Sequence, residues 1–401
     1  MFRPSCQGGM ARRPRAHRLQ GAARINFEVA NMSRRYTRPL LAALSSLLSA
    51  SALAADPVSI GFFSHLSGNF AQYGISFQEG VNLYLDEVKA SGGIEGRPVK
   101  LVVEDDRNSP QEAASVARKI AETPGVVLAI GSWSTTASVA AAPIFAEAKI
   151  PQISPTASHP DYSKLSEYQF RQNNTDDVLA QYNADTIQKQ LKAKTVVIPY
   201  SQDDWGLYTG KATAAAIVKG GGQVLLSEAV VAGAKDFRPL VSKIKSLKPE
   251  GVFLALPYQE ASIFLQQLRQ AGVDIPVGGG IPLTSPKFLE LSGKAAEGVE
   301  LHTLFFAGNP KTAAFTEAYK KKYNRLPDQF AALAYDATGV GVAAIRRVIQ
   351  SGKPLTGQAV RDELANGPAY QGITGVTKYE NGNVRKDPVF IKVSNGQFQL
   401  D

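Results

Sequence analysis

Short apolar runs alternate with longer segments of helical spacing in the first half of the chain. Strands are predicted at four of these runs: 57–63, 99–104, 126–130 and 150–153. Helices are predicted between them at 77–90, 111–122 and 138–148. Apolar runs of this length suit buried strands, and strands that alternate with helices of ten or more residues indicate a parallel sheet.

The same alternation restarts after residue 171. Strands are predicted at 195–199, 224–229, 251–256 and 276–280, and helices at 177–191, 208–219, 237–247 and 261–271. The remaining sequence predicts two further helices, 312–323 and 330–350, and a hairpin-like tail, 376–400, with Asn381-Gly382 as a turn signal inside it. The pattern therefore predicts an α/β fold of two lobes, each a mostly parallel sheet flanked by helices, with a ligand between them.

Polar turns follow two successive strands of the first predicted sheet. Hydroxyl side chains at 132 and 134–136 follow the strand at 126–130, and the turn 154–158 (Ser-Pro-Thr-Ala-Ser) follows the next strand. In open α/β sheets, ligands bind outside the carboxyl ends of the strands, and a helix N-terminus there favours an anion. We therefore predict that Thr135, Ser158 and backbone N–H groups around Thr156 hold a small carboxylate. The alternative is that these hydroxyls only cap helices.

The positive charge of the chain is concentrated in its first 55 residues. The chain carries a net charge of +9, but residues 1–55 hold nine Arg, no Lys and one acid, a net of +8. Residues 56–401 therefore carry a net of only +1. This distribution gives no basic face for nucleic acid.

An export signal is predicted at residues 32–55. Arginines between 33 and 38 precede the apolar run 40–53, and Ala52-Leu53-Ala54 has the small-x-small pattern of a cleavage site. The run is too short and Ser-rich for a comfortable membrane span. We interpret residues 1–31, which contain the only cysteine, Cys6, as an extension from a mis-called start. A Sec-type signal without a cysteine at the cleavage site predicts an exported periplasmic protein that is not a lipoprotein.

The sequence contains no recognisable catalytic or metal-binding motif. The segment 206–211 (Gly-Leu-Tyr-Thr-Gly-Lys) is one residue too short for a phosphate-binding loop, and no Ser or Thr follows it. The turn after the strand at 126–130 lacks the second Gly of a nucleophile elbow. His65, His159 and His302 lie far apart in sequence, without the spacing of metal ligands. We therefore predict a binding protein without cofactor or metal; an exported hydrolase is the alternative.

A series of short motifs lies in order along residues 58–395. They are Ala71-Gln72-Tyr73-Gly74, Gly92-Gly93-Ile94-Glu95-Gly96-Arg97, Asp105-Asp106, Ile153-Ser154-Pro155, Asp236-Phe237, Leu268-Arg269-Gln270-Ala271-Gly272, Ala296-Glu297-Gly298 and Tyr335-Asp336-Ala337. In this order and with these spacings they resemble the type I periplasmic solute-binding proteins, especially the leucine/isoleucine/valine-binding group.

The resemblance implies a two-lobed type I periplasmic-binding-protein fold with hinge crossovers, in which 56–175 and 305–374 form lobe 1 and 176–304 and 375–401 form lobe 2. It implies a monomeric substrate-binding component of an ABC importer, which closes on a small carboxylate and delivers it to a membrane permease. The implied ligand is a branched-chain amino acid or a related apolar or aromatic acid. A periplasmic ligand sensor on the same scaffold, or a binder of amides or urea, is the alternative.

The resemblance also implies nine ligand-binding positions. Thr135, Thr156 and Ser158 match the carboxylate anchor, and the pocket walls match Tyr73, Trp133, Trp205, Tyr258 and Phe330. The amino-acid binders place a glutamate near residue 280 to pair with the ligand ammonium, and this chain has Ile281 there. Glu260 and Asp176 are candidate replacements, although neither stands at the matching position. The departure favours a flat or branched acid without an amine; a misaligned Gly-rich turn is the alternative.

Overall fold

The structure, a computed structural model, describes residues 56–401. The signal peptide predicted at 32–55 and the extension predicted at 1–31 lie outside this range. Within 56–401, every helix is too short or too polar to cross a lipid bilayer.

The first sheet has five parallel strands in the order β2-β1-β3-β4-β5. They are β1 (Val58–Ser64), β2 (Val99–Asp105), β3 (Val126–Ile130), β4 (Gln152–Ser154) and β5 (Gln169–Arg171). Every residue of β1 and β3 is buried, as expected for central strands that helices cover on both faces. The four predicted strands are confirmed, and β5 adds a fifth that its short polar sequence did not reveal.

A second sheet is built from the later part of the chain. The remaining strands are β6 (Thr195–Ser201), β7 (Gln223–Val230), β8 (Gly251–Leu254), β9 (Val277–Gly279), β10 (Glu300–Thr303), β11 (Tyr370–Gly372), β12 (Gly375–Thr377), β13 (Val389–Ser394) and β14 (Gln397–Leu400). The sheet order is β7-β6-β8-β9-β10-β13-β14, and β11 pairs separately with β12. Strands β6 to β10 run parallel, while β13 and β14 add an antiparallel edge.

Helices flank the two sheets. They are α1 (Ala71–Ala90), α2 (Pro110–Glu122), α3 (Thr135–Glu147), α4 (Asp176–Asp185), α5 (Asp204–Lys219), α6 (Arg238–Leu247), α7 (Tyr258–Gln270), α8 (Pro286–Ser292), α9 (Ala313–Tyr323), α10 (Gln329–Gln350) and α11 (Gly357–Asn366). The predicted α/β fold with mostly parallel sheets is confirmed. The exact lobe boundaries stay a prediction.

Several helices begin earlier than their apolar spacing predicts, because a polar side chain caps each first turn. Ser134 accepts the N–H of Ala137 at 3.4 Å, and Asp203 accepts the N–H of Gly206 at 2.7 Å. Helix α3 therefore begins at Thr135 and α5 at Asp204. As a result, Thr135 and Trp205, which we predicted in loops, lie in the first turns of helices.

The long helix α10 packs along α1 beside the first sheet. The two helices approach so closely at Gly80 that a Cβ there would lie 2.1 Å from the carbonyl oxygen of Ala331. Glycine is therefore required at position 80 for this packing.

The predicted hairpin-like tail contains a terminal hairpin and a second tight turn before it. The strands of the terminal hairpin are β13 and β14, and its turn is Asn395-Gly396, both at positive φ. The predicted turn signal, Asn381-Gly382, also has positive φ at both residues, but it only joins Glu380 to Asn383. Asn381-Gly382 therefore forms a turn inside the tail, as predicted, while the turn of the terminal hairpin at Asn395-Gly396 was not predicted.

Candidate ligand-binding site

A cavity of about 220 Å³ lies where the carboxyl ends of strands from both sheets meet. Residues from β3–α3 and the turn after β4 line one side, and residues from the ends of β6, β8, β9 and β10 line the other. Seven of the nine predicted site residues line it: Trp133, Thr135, Thr156, Ser158, Trp205, Ile281 and Phe330.

The hydroxyl groups of the two polar turns divide into a structural set and a cavity set. Ser132, Ser138 and Ser154 are fully buried and bond to one another; the Ser154 hydroxyl, for example, donates to the carbonyl of Ser132 at 2.9 Å. Thr135 and Ser158 instead line the cavity, where the Thr135 hydroxyl oxygen accepts the N–H of Ser158 at 3.3 Å. Ser134 caps helix α3, as the second interpretation expects, while Thr135 and Ser158 line the cavity and their role as a carboxylate anchor stays a prediction.

The start of helix α3 adds backbone donors to this part of the cavity. The first N–H groups of a helix have no partner within it, and the Ser134 cap accepts only that of Ala137. The N–H groups of Thr135 and Thr136, both lining residues, remain for a ligand. Together with the positive end of the helix dipole, they favour a carboxylate.

Gly131 allows β3 to turn sharply into this site. Its φ is +142°, and a Cβ there would lie 2.0 Å from the carbonyl oxygen of Phe63. Next to it, the Ser132 hydroxyl donates to Asp106 at 2.5 Å. Burial raises the pKa of Asp106 to about 6, although the bond from Ser132 opposes that shift. These contacts fix the backbone that carries Trp133 and Thr135.

Thr156 has a supporting contact rather than a free hydroxyl. Its Oγ1 donates to the carbonyl oxygen of Trp133 at 2.8 Å, joining the two polar turns. The indole of Trp133 then stacks on Tyr73, with 4.2 Å between ring centroids and 11° between planes. Phe330 packs against the same Tyr73 ring at 4.9 Å. Trp133 and Phe330, which line the cavity and pack on Tyr73 behind them, therefore form an aromatic wall of the cavity.

Tyr73 and Tyr258, which we predicted as pocket walls, are not among the lining residues and lie behind the wall. The Tyr73 hydroxyl donates to the carbonyl of Pro282 at 3.0 Å and accepts the N–H of Tyr258 at 3.1 Å. The Tyr258 hydroxyl donates to the carbonyl of Asn69 at 2.8 Å. Burial raises the pKa of both phenols, that of Tyr258 to about 12. These bonds join segments that follow strands of different sheets.

Two buried acids line the cavity from the second side. Asp176, the first residue of α4, accepts the Thr209 hydroxyl at 3.0 Å through one oxygen. Burial raises the pKa of Asp176 to about 7, against the bond from Thr209. Glu260, in the first turn of α7, accepts the N–H of Gly233 at 2.9 Å. The second oxygen of Glu260 has no hydrogen-bond partner among residues 56–401, whereas the Ser158 hydroxyl, like that of Thr209, opposes the raised pKa of Asp176.

His302 and Asn183 are lining residues that the sequence did not reveal. Asn183 donates to the Thr213 hydroxyl at 2.9 Å, so its oxygen faces His302 Nε2 at 2.8 Å. This arrangement puts the ring proton on Nε2 and leaves Nδ1 as an acceptor. Burial lowers the pKa of His302 to about 4, so the ring is neutral. A single histidine in a short strand gives no sequence signal of such a role.

No group of three or more His, Cys, Asp or Glu side chains between residues 56 and 401 is placed to hold a metal ion. His65, which lies near the aromatic wall, is buried with a pKa lowered to about 4 by desolvation. It contacts Trp133 edge-on at 5.0 Å, so it supports the wall.

Comparison with known proteins places this geometry in a family. Residues 57–397 match the family model described as periplasmic binding protein. The chain is 30% identical to Leu/Ile/Val-binding protein homolog 3 of Brucella melitensis, over 85% of this chain and 92% of that protein.

Solved structures agree with that match. The branched-chain amino acid transporter substrate binding protein LivJ of Streptococcus pneumoniae, in complex with isoleucine, is 28% identical with a TM-score of 0.79, covering 86% of this chain and 98% of that chain. Leucine binding protein LivK of Thermotoga maritima is 26% identical with a TM-score of 0.79, covering 86% and 97%. Proteins of this family are periplasmic solute-binding proteins, not enzymes. The chain belongs to the type I periplasmic binding proteins of the branched-chain amino acid family.

Proposed function

We propose that this protein is the substrate-binding component of an ABC importer and captures a small carboxylate. The observation that carries the proposal is the contact of Thr135 with Ser158 beside the N-terminus of α3, inside a cavity between two sheets. Relatives named for leucine, isoleucine and valine support the same class of ligand.

The proposed mechanism is closure of two lobes over the ligand. Thr135, Thr156 and Ser158 bind or position the carboxylate from lobe 1, while Trp205 and Ile281 approach from lobe 2. In this mechanism the bond from the Tyr258 hydroxyl to the Asn69 carbonyl joins the two lobes in the closed state. A ligand that touches both sides binds the closed state more tightly and therefore shifts the population toward it.

The walls of the cavity favour a ligand with an apolar body. Trp133, Trp205, Ile281 and Phe330 provide aromatic and branched surfaces around the anchor. Such rings give a large apolar contact area with defined geometry. A branched-chain amino acid and a related apolar or aromatic acid both fit this description.

The partners follow from the proposed role. A membrane permease reads the closed form and takes the ligand, and the binding protein acts as a monomer without nucleic acid. Export by the Sec-type signal at 32–55, without a lipid anchor, delivers the chain to the periplasm where this family works.

A thermal-shift screen of the purified protein against small acids tests the function. A ligand at a hundredfold excess over its Kd adds about 3 kcal/mol to the unfolding free energy, so a true ligand raises Tm clearly. The panel pairs each amino acid with the same acid lacking the amine. If no small carboxylate raises Tm, the proposed function is wrong.

A further inference from the structure

Arg171, the last residue of β5, is a buried cation that holds the turn carrying Ser158. Its side chain is fully buried, and its Nη1 donates to the carbonyl oxygens of Ala157 at 3.0 Å and His159 at 2.9 Å, the residues on either side of Ser158. Strand β5 pairs with β4 so that Arg171 stands beside Ser154, where the turn begins. The arginine is not a lining residue of the cavity, so it contacts the turn from outside the ligand site.

The residues that follow Arg171 bind the other two carbonyls of the same turn. The carbonyl oxygen of Thr156 accepts the side-chain N–H of Asn173 at 3.3 Å, and that of Ser158 accepts the backbone N–H of Asp176 at 2.8 Å. Four successive carbonyls are therefore bound by one short segment. A carbonyl oxygen carries partial negative charge and would repel a carboxylate, whereas backbone N–H groups attract one. Holding the carbonyls in this way suits a site for an anion.

The positive charge of Arg171 has no anionic hydrogen-bond partner. Within residues 56–401 its side chain donates only to the two backbone carbonyls and to the Ser163 hydroxyl, at 3.4 Å, and its Nε has no partner. The guanidinium carbon lies 5.3 Å from the centre of the Tyr162 ring. Burial lowers the pKa of Arg171 to about 10, so the group remains charged at neutral pH. A buried charge without a counter-ion is costly, so a nearby anion would stabilise it.

Two acids attract this charge without bonding to it. They are Asp176 and Asp177, at the start of α4. Asp177 accepts the Tyr208 hydroxyl at 2.7 Å, and Asp176 accepts the Thr209 hydroxyl at 3.0 Å. Burial raises the pKa of Asp176 to about 7, so below that pH its carboxyl is neutral and does not balance Arg171. A ligand carboxylate at the turn would supply the missing negative charge.

We propose that Arg171 is a positioning residue for the bound carboxylate, which fixes the Ser158 turn and makes the site prefer an anion to a neutral ligand of the same shape. The inference rests on the proposed function, because it takes the anchor at Thr135 and Ser158 as given. Arg171 acts through the turn and through its electric field, not by contact with the ligand. Loss of its charge should therefore weaken the binding of an acid more than that of the matching amide.

The test compares each acid with its amide by isothermal titration calorimetry. The probes are L-leucine against L-leucinamide and 3-phenylpropanoate against 3-phenylpropanamide, with wild type, Arg171→Met and Arg171→Lys. The titrations are made at about pH 6, where the ligand amine and the Asp176 carboxyl are both protonated. Arg171→Gln is the second uncharged variant if Arg171→Met does not fold.

Arg269→Met is the matched control. Arg269 Nη1 also donates to two backbone carbonyls, those of Val273 and Ile275, both at 3.0 Å. It pairs with Asp274 at 3.4 Å, however, and it is not a lining residue of the cavity. Its loss should leave the ratio of acid to amide affinity at the wild-type value.

We expect wild type to bind the acid of at least one pair more tightly than the amide, and the uncharged Arg171 variants to lower this affinity ratio about tenfold. Arg171→Lys keeps the charge, so it should keep the ratio even if both affinities fall. An equal loss of acid and amide affinity in the uncharged variants would show a purely structural role and overturn the inference. A ratio lost in Arg171→Lys would overturn it too. Wild type that binds no acid, or binds the amides more tightly, contradicts the proposed function itself.

Discussion

The hydroxyl oxygen of Thr135 accepts the backbone N–H of Ser158 at 3.3 Å, across 23 residues of sequence. Thr135 begins the helix after β3, and Ser158 follows β4, the neighbouring parallel strand. The parallel pairing of β3 with β4 therefore brings the two residues together at the same edge of the sheet. It brings two hydroxyl groups and a helix N-terminus together at one point of the cavity.

Removal of either hydroxyl is expected to weaken ligand binding without unfolding the protein. A hydrogen bond to a charged group contributes about 1.5–3 kcal/mol, so Thr135→Ala and Ser158→Ala should each weaken the affinity about tenfold to a hundredfold. Calorimetry with the tightest ligand of the acid screen measures the change.

Thr338→Ala is the matched control for these two variants. Thr338 is also buried, but its hydroxyl donates to the carbonyl of Ala334 within α10, away from the cavity. The affinity of this variant should equal that of wild type. Unchanged affinity in both Thr135→Ala and Ser158→Ala would mean that the carboxylate anchor lies elsewhere.

The two tryptophans of the chain should report ligand binding directly. The chain contains two Trp residues, Trp133 and Trp205, and both line the cavity. A ligand that replaces water next to an indole changes its emission, so titration should shift the intrinsic fluorescence. Trp133→Phe and Trp205→Phe each leave one reporter. Binding detected by calorimetry without a fluorescence change in wild type or either variant would contradict a ligand in this cavity.

The placement of Thr135 and Ser158 could be predicted from the sequence because the topology of a parallel sheet determines it. Successive βα units place their polar turns at one edge of the sheet. Knowing which residues form these turns was therefore enough to predict that Thr135 and Ser158 lie together. Ile281 was placed in the lining by the resemblance, and the structure has it there.

Glu260 and Asp176 were named from the sequence only as candidates without a matching position, and His302 gave no signal at all. Whether Glu260 faces the cavity depends on the helical turn that begins at Tyr258, ahead of the start that the apolar spacing suggested. The contact of His302 with Asn183 joins residues 119 positions apart, and its register is set by packing of α4 on the sheet. Local patterns carry no information on either arrangement.

The bond between Tyr258 and Asn69 should stabilise the closed form. Tyr258→Phe removes the hydroxyl that donates to the Asn69 carbonyl but keeps the ring. A neutral hydrogen bond contributes about 0.5–1.5 kcal/mol, so ligand dissociation should become about twofold to tenfold faster. Stopped-flow fluorescence measures the rate. An unchanged dissociation rate would show that this contact does not hold the lobes together.

The buried pair of Lys386 and Asp336 should contribute strongly to stability. Lys386 Nζ lies 3.8 Å from Asp336, whose oxygens also accept the N–H groups of Ile373 and Thr374 at 2.7 and 2.8 Å. Burial lowers the pKa of Lys386 to about 8, against the attraction of Asp336. Asp336→Ala leaves a buried ammonium and two amides unpaired and should cost about 3–5 kcal/mol in urea unfolding. Lys386→Met should cost less; a larger loss in Lys386→Met would contradict this account.

The raised pKa of Asp176 predicts a specific pH dependence of stability. Because its pKa is about 7 in the folded protein, against an ordinary value of 3.8 for an aspartate in water, the unfolded chain loses this proton first as the pH rises. Stability from the neutral acid is therefore present below about pH 4 and lost as the pH rises to about 7. Asp176→Asn has no carboxyl group to ionise. Between pH 5 and pH 8 the unfolding free energy of wild type should therefore fall by about 2–3 kcal/mol relative to that of the variant.

Urea unfolding of both proteins at pH 5 and pH 8 measures this difference. His65 and His302, whose pKa values are lowered to about 4, change stability in the opposite direction, but they do so equally in both proteins. Asp106, with a pKa raised to about 6, also cancels in the comparison. If the unfolding free energy changes equally between pH 5 and pH 8 in Asp176→Asn and in wild type, Asp176 is ionised in the folded protein at both pH values.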